Sequence, residues 1–152
     1  MKIFEKIEAD LKSFYSYPDL DSIDKKVSTI QFIKALFDID FRSIFLYRIS
    51  SSLINIGMKR MGILIYYRLK SAHALDISPF AHIGPGMKLV HAFNIVIGPN
   101  VILGKNCVIF NSVTLGNSHP GWRSNKSLEN LMPIIGDRVT ICPGARIIGK
   151  IK

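Results

Sequence analysis

The sequence predicts an α+β chain: an N-terminal helical region, residues 1–75, followed by a short left-handed parallel β-helix of six-residue repeats over residues 76–152. Three features predict it. Apolar residues recur at three and four up to about Ala74, the period changes to six at Ile77, and glycines keep a fixed register thereafter.

In the first region Ile3, Ile7, Leu11 and Phe14 share one helical face, as do Ile30, Ile33 and Phe37, and then Phe41, Ile44, Phe45 and Ile49. Pro18 with Asp19-Leu20-Asp21-Ser22 breaks the first pattern, and Asp38-Ile39-Asp40 interrupts it again with an N-cap candidate. Four helices are expected.

From Ile77 an aliphatic residue stands at Ile77, Ile83, Leu89, Ile97, Leu103, Ile109, Leu115, Ile135, Ile141 and Ile147. The fifth place is small or aliphatic, as at Ala81, Val101, Cys107, Val113, Val139 and Ala145, with the larger Met87 as the exception. The second place is often Gly, at Gly84, Gly98, Gly104, Gly116 and Gly136. This pattern suits three short strands per coil, with first and fifth places pointing inward and glycine relieving the Cβ penalty at the turns. Coils stacked at about 4.8 Å give a prism roughly 15 Å tall. Stacked coils tolerate extra residues only as loops at corners. One such surplus, between Leu89 and Ile97, contains His91, and a longer one, between Leu115 and Ile135, contains His119, Trp122 and Arg123.

A length of 152 residues fits one compact unit, and 48% hydrophobic against 20% charged residues excludes a disordered chain. The net charge of +9 attracts anions. Its basic residues are scattered and not gathered into an aromatic-interleaved stripe, so no nucleic-acid partner is expected. Two cysteines without a C-x-x-C pair, and a start lacking an apolar signal segment, point to a cytoplasmic protein. The most apolar run, Met61 to Tyr67, is far short of the ~20 residues of a spanning helix. At most, the basic N-terminal helices touch a membrane surface peripherally.

Asp76-Ile77-Ser78-Pro79 with Ala81-His82-Ile83-Gly84, Val90-His91-Ala92 with Val96-Ile97-Gly98, Val113-Thr114-Leu115-Gly116, and Pro133 with Ile135-Gly136-Asp137 carry a resemblance. Over residues 76–152 the chain resembles the serine acetyltransferase branch of the hexapeptide-repeat acyltransferases. The resemblance implies an acetyl-CoA-dependent O-acetyltransferase with His91 as general base and Asp76 as the carboxylate that orients it. The repeat adds a rationale: Ile77 stacks one coil from Ile97, which brings Asp76 and the swollen corner holding His91 to one prism edge. A carboxylate on one imidazole nitrogen fixes the tautomer and leaves the other free to take a proton.

The same resemblance implies a homotrimer with acetyl-CoA in the groove between neighbouring prisms and the active site shared between subunits. Gly116-Asn117 matches the contact to the thioester oxygen, and Pro143, Gly144 and Ala145 match a turn beside the pantetheine arm. No metal is implied. Cys107 occupies an inward place and Cys142 lacks an evident base, which favours direct transfer over an acyl-cysteine. The resemblance also implies further coils beyond Lys152, so this member is short for the family, by nature or by truncation.

The departures concern the acceptor. Val90 stands where the family has an aspartate for the ammonium of serine, and Leu131 and Met132 stand where it has an arginine and a histidine for the carboxylate. Such polar contacts carry much of small-substrate selectivity. The expected acceptor is therefore a sugar hydroxyl of a surface polysaccharide or its precursor, met by Val90, His119, Trp122, Arg123 and Met132. The alternatives are a serine O-acetyltransferase of cysteine biosynthesis and a non-catalytic trimeric scaffold. A zinc hydratase on the same prism would need three converging histidines with a closely spaced pair, which His73, His82, His91 and His119 do not form.

Overall fold

The computed structural model describes residues 2–16, 27–117 and 131–151. Among the described residues four helices come first: α1 (Ile3–Ser16), α2 (Thr29–Phe37), α3 (Ile39–Asn55) and α4 (Lys59–His73). Ser28 starts α2 with a capping box, its hydroxyl accepting from the Gln31 amide while the Gln31 side chain accepts from the Ser28 amide. Asp38 ends α2 and caps α3, accepting from the amides of Asp40 and Phe41, so the expected interruption is a change of helix direction within one residue.

Ten short strands follow among the described residues: β1 (Asp76–Ile77), β2 (His82–Ile83), β3 (Lys88–Val90), β4 (Val96–Ile97), β5 (Ile102–Leu103), β6 (Val108–Phe110), β7 (Thr114–Gly116), β8 (Ile134–Ile135), β9 (Thr140–Ile141) and β10 (Arg146–Ile148). All pairings are parallel, in three sheets ordered β1-β4-β7-β10, β2-β5-β8 and β3-β6-β9. These are the three faces of the expected prism. The first-place aliphatics stack in register, Ile77 on Ile97 on Leu115 on Ile147, with matching ladders from Ile83 and Leu89. They form one core with Val101, Cys107, Val113 and Met87.

The turn chemistry differs from expectation. The left-handed backbone falls at the fourth place of the repeat, at Gly86, Asn94, Asn100, Asn106, Ser112, Arg138 and Gly144. Two of the second-place glycines, Gly84 and Gly104, are required for a different reason, whereas Gly98, Gly116 and Gly136 leave room for a Cβ. A Cβ on Gly84 would meet the Gly104 carbonyl oxygen at 2.4 Å, and one on Gly104 would meet Asp137 Oδ1 at 2.3 Å. Close stacking of coils, and not a positive φ, excludes a side chain there.

The helices are bolted to the first coil by buried polar groups. Arg48 of α3 and Asp10 of α1 are 3% and 1% exposed, and Arg48 Nε and Nη2 donate to Asp10 at 2.8 and 3.0 Å. The remaining guanidinium donors reach the carbonyls of Ile83 at 2.7 Å and Gly84 at 2.5 Å, while Asp10 accepts from the Met87 amide at 2.9 Å. The Tyr47 hydroxyl donates to the Ala81 carbonyl at 2.8 Å. Apolar contact reinforces this, since Ile44, Tyr47, Leu69 and Leu75 join the prism core. Leu11, Ala35 and Phe41 form a separate cluster among the helices.

Candidate active site

The eight-residue step from Leu89 to Ile97 makes the corner between β3 and β4 bulge, and His91 sits on the bulge, exposed, with φ +55. For a residue with a Cβ this left-handed conformation costs roughly 1–2 kcal/mol and needs compensation. Asp40, in the first turn of α3, supplies it. Its Oδ2 accepts the His91 amide at 3.0 Å and its Oδ1 the Ala92 amide at 2.7 Å. Two hydrogen bonds to a charged acceptor, worth about 1.5–3 kcal/mol each, outweigh the strain. His91 opens onto a hollow of about 640 Å³ that Asp38, Asp40, Ser71, Ala72 and Phe93 also line, with no Lys or Arg among the described residues that line it.

Asp76 begins β1, and its amide donates to the Ile95 carbonyl at 2.9 Å, so it stands one coil from the bulge, as the repeat requires. Its carboxylate faces α4. The Tyr66 hydroxyl donates to Oδ1, and Lys70 Nζ lies 2.6 Å from Oδ2. Tyr66 and Lys70 are one helical turn apart and grip the two oxygens from one side. Partial burial, and then the carboxylate, push the Tyr66 hydroxyl up, while the hydrogen bond to Asp76 pushes Lys70 up and keeps it charged. Among the described residues no hydrogen bond joins Asp76 to His91. Asp76 lines a second hollow of about 510 Å³ together with Tyr66, Lys70, Gly116, Asn117 and Met132.

The other expected residues divide between these places. Gly116 and Asn117, at the end of β7, lie in the second hollow, and a Cβ on Gly116 would meet nothing within 4 Å, so its backbone is open to approach. Pro143 and Gly144 form the exposed corner before β10, where Gly144 has φ +73, and with Ala145 they lie outside both hollows. Val90 ends β3, half-buried, and lines neither hollow. Met132 is 3% exposed and belongs to the core. His119, Trp122 and Arg123 lie outside the described residues. Cys107 is buried with its Sγ 3.2 Å from the Gly136 carbonyl oxygen, and burial pushes its thiol up, away from the reactive thiolate. Among the described residues no group of three or more His, Cys, Asp or Glu is arranged to hold a metal, and no helix is long and apolar enough to cross a membrane.

Sequence reasoning missed Asp40, Tyr66 and Lys70. The pair on α4 carried a faint signal, a tyrosine and a lysine at i and i+4 just before the strand that bears Asp76. Asp40 carried none beyond its place beside an N-cap.

Three parallel ladders of six-residue repeats behind a helical region define a hexapeptide-repeat architecture. Solved structures share it. The Neisseria gonorrhoeae serine acetyltransferase in complex with serine is 31% identical with a TM-score of 0.78, covering 97% of this chain and 55% of that one. A serine acetyltransferase in complex with CoA is 26% identical with a TM-score of 0.74, covering 98% and 57%. The serine acetyltransferase of Buchnera aphidicola from Schizaphis graminum is 41% identical over 112 residues, 74% of this chain and 41% of that protein. That of Escherichia coli is 31% identical over 131 residues, 86% and 44%. No family model matches the chain. The chain spans about two fifths of the length of the curated relatives it matches. It has the left-handed β-helix fold of the hexapeptide-repeat acetyltransferases and is a relative of the serine acetyltransferases.

Proposed function

We propose that this chain carries an acetyl-CoA-dependent O-acetyltransferase site with His91 as general base. The imidazole takes the proton of an acceptor hydroxyl as its oxygen attacks the thioester carbonyl. The C–S bond then breaks, and the proton passes to the departing CoA sulfur. Such a base contributes about 10²- to 10⁴-fold in rate. The carboxylate that the resemblance assigns to orienting the base, Asp76, is engaged by Tyr66 and Lys70 in this structure, so it orients the imidazole only when that grip is released. Acetyl-CoA lies against the open backbone at Gly116-Asn117 and the corner Pro143-Gly144-Ala145, in the groove between neighbouring prisms of a homotrimer.

The acceptor that the relatives support is the hydroxyl of serine. The observation that carries this reading is the hollow beside His91, where Asp38 and Asp40 are the carboxylates among the described lining residues. The Lys88 ammonium of β3 offsets part of that charge, and the two carboxylates still favour the ammonium of an amino acid over an anionic sugar. A neutral sugar hydroxyl is the second reading, favoured by Val90, Leu131 and Met132, which offer no ion-pairing group where serine recognition is expected.

Thiol release from acetyl-CoA, measured with serine and with a panel of neutral and acidic sugars, tests both. Serine is expected to give the highest kcat/KM, and His91→Ala to lower kcat at least about 10²-fold with little change in KM for acetyl-CoA. Parental turnover by His91→Ala would remove the base, and a sugar above serine would reverse the order of acceptors. A fully active monomer in light scattering would remove the shared site.

A further inference from the structure

We infer that Asp40 is a positioning residue for the reaction: it holds the backbone of the bulge so that His91 presents its imidazole to the hollow. This rests on His91 being the base.

Among the described residues no hydrogen bond reaches the His91 ring, so the ring goes where its backbone sends it. That backbone stands at φ +55, a conformation that a free loop with a histidine seldom holds. Asp40 uses both carboxylate oxygens on the bulge, at 3.0 Å to the His91 amide and 2.7 Å to the Ala92 amide. Ala92 is 4% exposed, so its amide has little recourse to solvent if the carboxylate is removed.

Asp40 is itself fixed. Its own amide donates to Asp38 Oδ1 at 2.8 Å, and α3 is tied to the first coil by Arg48 and Tyr47. The geometry of the base is thus transmitted from the helical region through one carboxylate. A plain capping role does not account for this, because Asp38 already caps α3.

The test compares the parent with Asp40→Ala, Asp40→Asn, His91→Ala and the double variant Asp40→Ala/His91→Ala, all in the full chain. Asp40→Ala is expected to lower kcat about 10- to 100-fold, the range a displacement of about 1 Å produces, with KM for acetyl-CoA within about twofold of the parent. Asp40→Asn keeps one acceptor and should fall between. In the His91→Ala background Asp40→Ala should cause no further loss of kcat at saturating acceptor, since its effect on kcat runs through the base. Amide exchange at His91 and Ala92 should quicken in Asp40→Ala while exchange in the prism core stays at the parental rate.

An additive loss in the double variant, or unchanged exchange at residues 91 and 92, overturns the inference. Parental activity of His91→Ala overturns the base reading, and the inference with it. The exchange measurement reads the clamp by itself and so separates the two failures.

Discussion

Arg48→Met preserves the stem of the side chain and removes the guanidinium from a place that is 3% exposed. Asp10 loses donors at 2.8 and 3.0 Å, and the carbonyls of Ile83 and Gly84 lose theirs at 2.7 and 2.5 Å. Deleting one partner of a buried ion pair costs about 3–5 kcal/mol because the other charge is left uncompensated. Protonation of Asp10 limits the loss. Burial already pushes its carboxyl up against the pull of Arg48, and without Arg48 the opposition falls mainly to the Met87 amide. Neutralising a carboxyl with an ordinary value of about 3.9 costs about 4 kcal/mol at pH 7 and about 1.5 kcal/mol at pH 5. The charge part of the loss at pH 7 is therefore about 3–4 kcal/mol, or a fall of about 6–16 °C in Tm for a chain of this size.

The sign follows from linkage. The variant's folded state holds the Asp10 proton more tightly than the unfolded chain does, so its stability is retained at low pH and falls as pH rises above about 4. Burial holds the Asp10 carboxyl up in the parent as well, so the penalty relative to the parent should shrink between pH 7 and pH 5 by less than about 2.7 kcal/mol. Thermal and urea unfolding followed by circular dichroism, at one protein concentration, reads both numbers. A variant melting within about 2 °C of the parent at pH 7, or one with the same penalty at both pH values, would refute the account.

Two further outcomes are expected. Gly104→Ala places a Cβ 2.3 Å from Asp137 Oδ1 and 2.5 Å from the Gly136 carbonyl carbon, and should destabilise by about 1–3 kcal/mol, whereas Gly136→Ala, with nothing within 4 Å, should stay within about 0.5 kcal/mol. Equal urea midpoints for the two would contradict the stacking argument. Tyr47→Phe removes a buried hydroxyl that burial pushes above its ordinary value of about 10. A raised hydroxyl stabilises the fold below pH about 10 and loses that contribution as pH rises through its folded value. The free energy of unfolding measured from pH 8 to 11 should therefore fall less steeply in the variant, and identical slopes would count against it.

The parts of this molecule that repeat were legible in the sequence. Ile77, Ile97, Leu115 and Ile147 occupy one stacked ladder because a period of six is written into the chain itself. The corners were misread because glycine at the second place looked like turn chemistry. The left-handed places carry Asn100, Asn106, Ser112 and Arg138, which declare no such preference as plainly. His91 and Asp76 stood out through the family motif. Their partners did not, since Asp40 meets His91 across 51 residues and Asp10 meets Met87 across 77, and neither separation follows a period. Such contacts are set by how α1, α3 and α4 dock, which no local pattern encodes.

That docking changes what the helices are for. Each of these three delivers polar side chains to the prism: Asp10 from α1, Asp40, Tyr47 and Arg48 from α3, Tyr66 and Lys70 from α4. Two of those helices reach the proposed catalytic groups directly, α3 at the His91 bulge and α4 at Asp76. This bears on the acceptor. Val90 leaves the end of β3 without a carboxylate, and under the serine reading Asp38 and Asp40 supply negative charge from α3 to the hollow beside His91. Under that reading the carboxylate missing from the β-helix is offset by residues 50 and 52 positions earlier, and the serine proposal places specificity at the helix–prism junction.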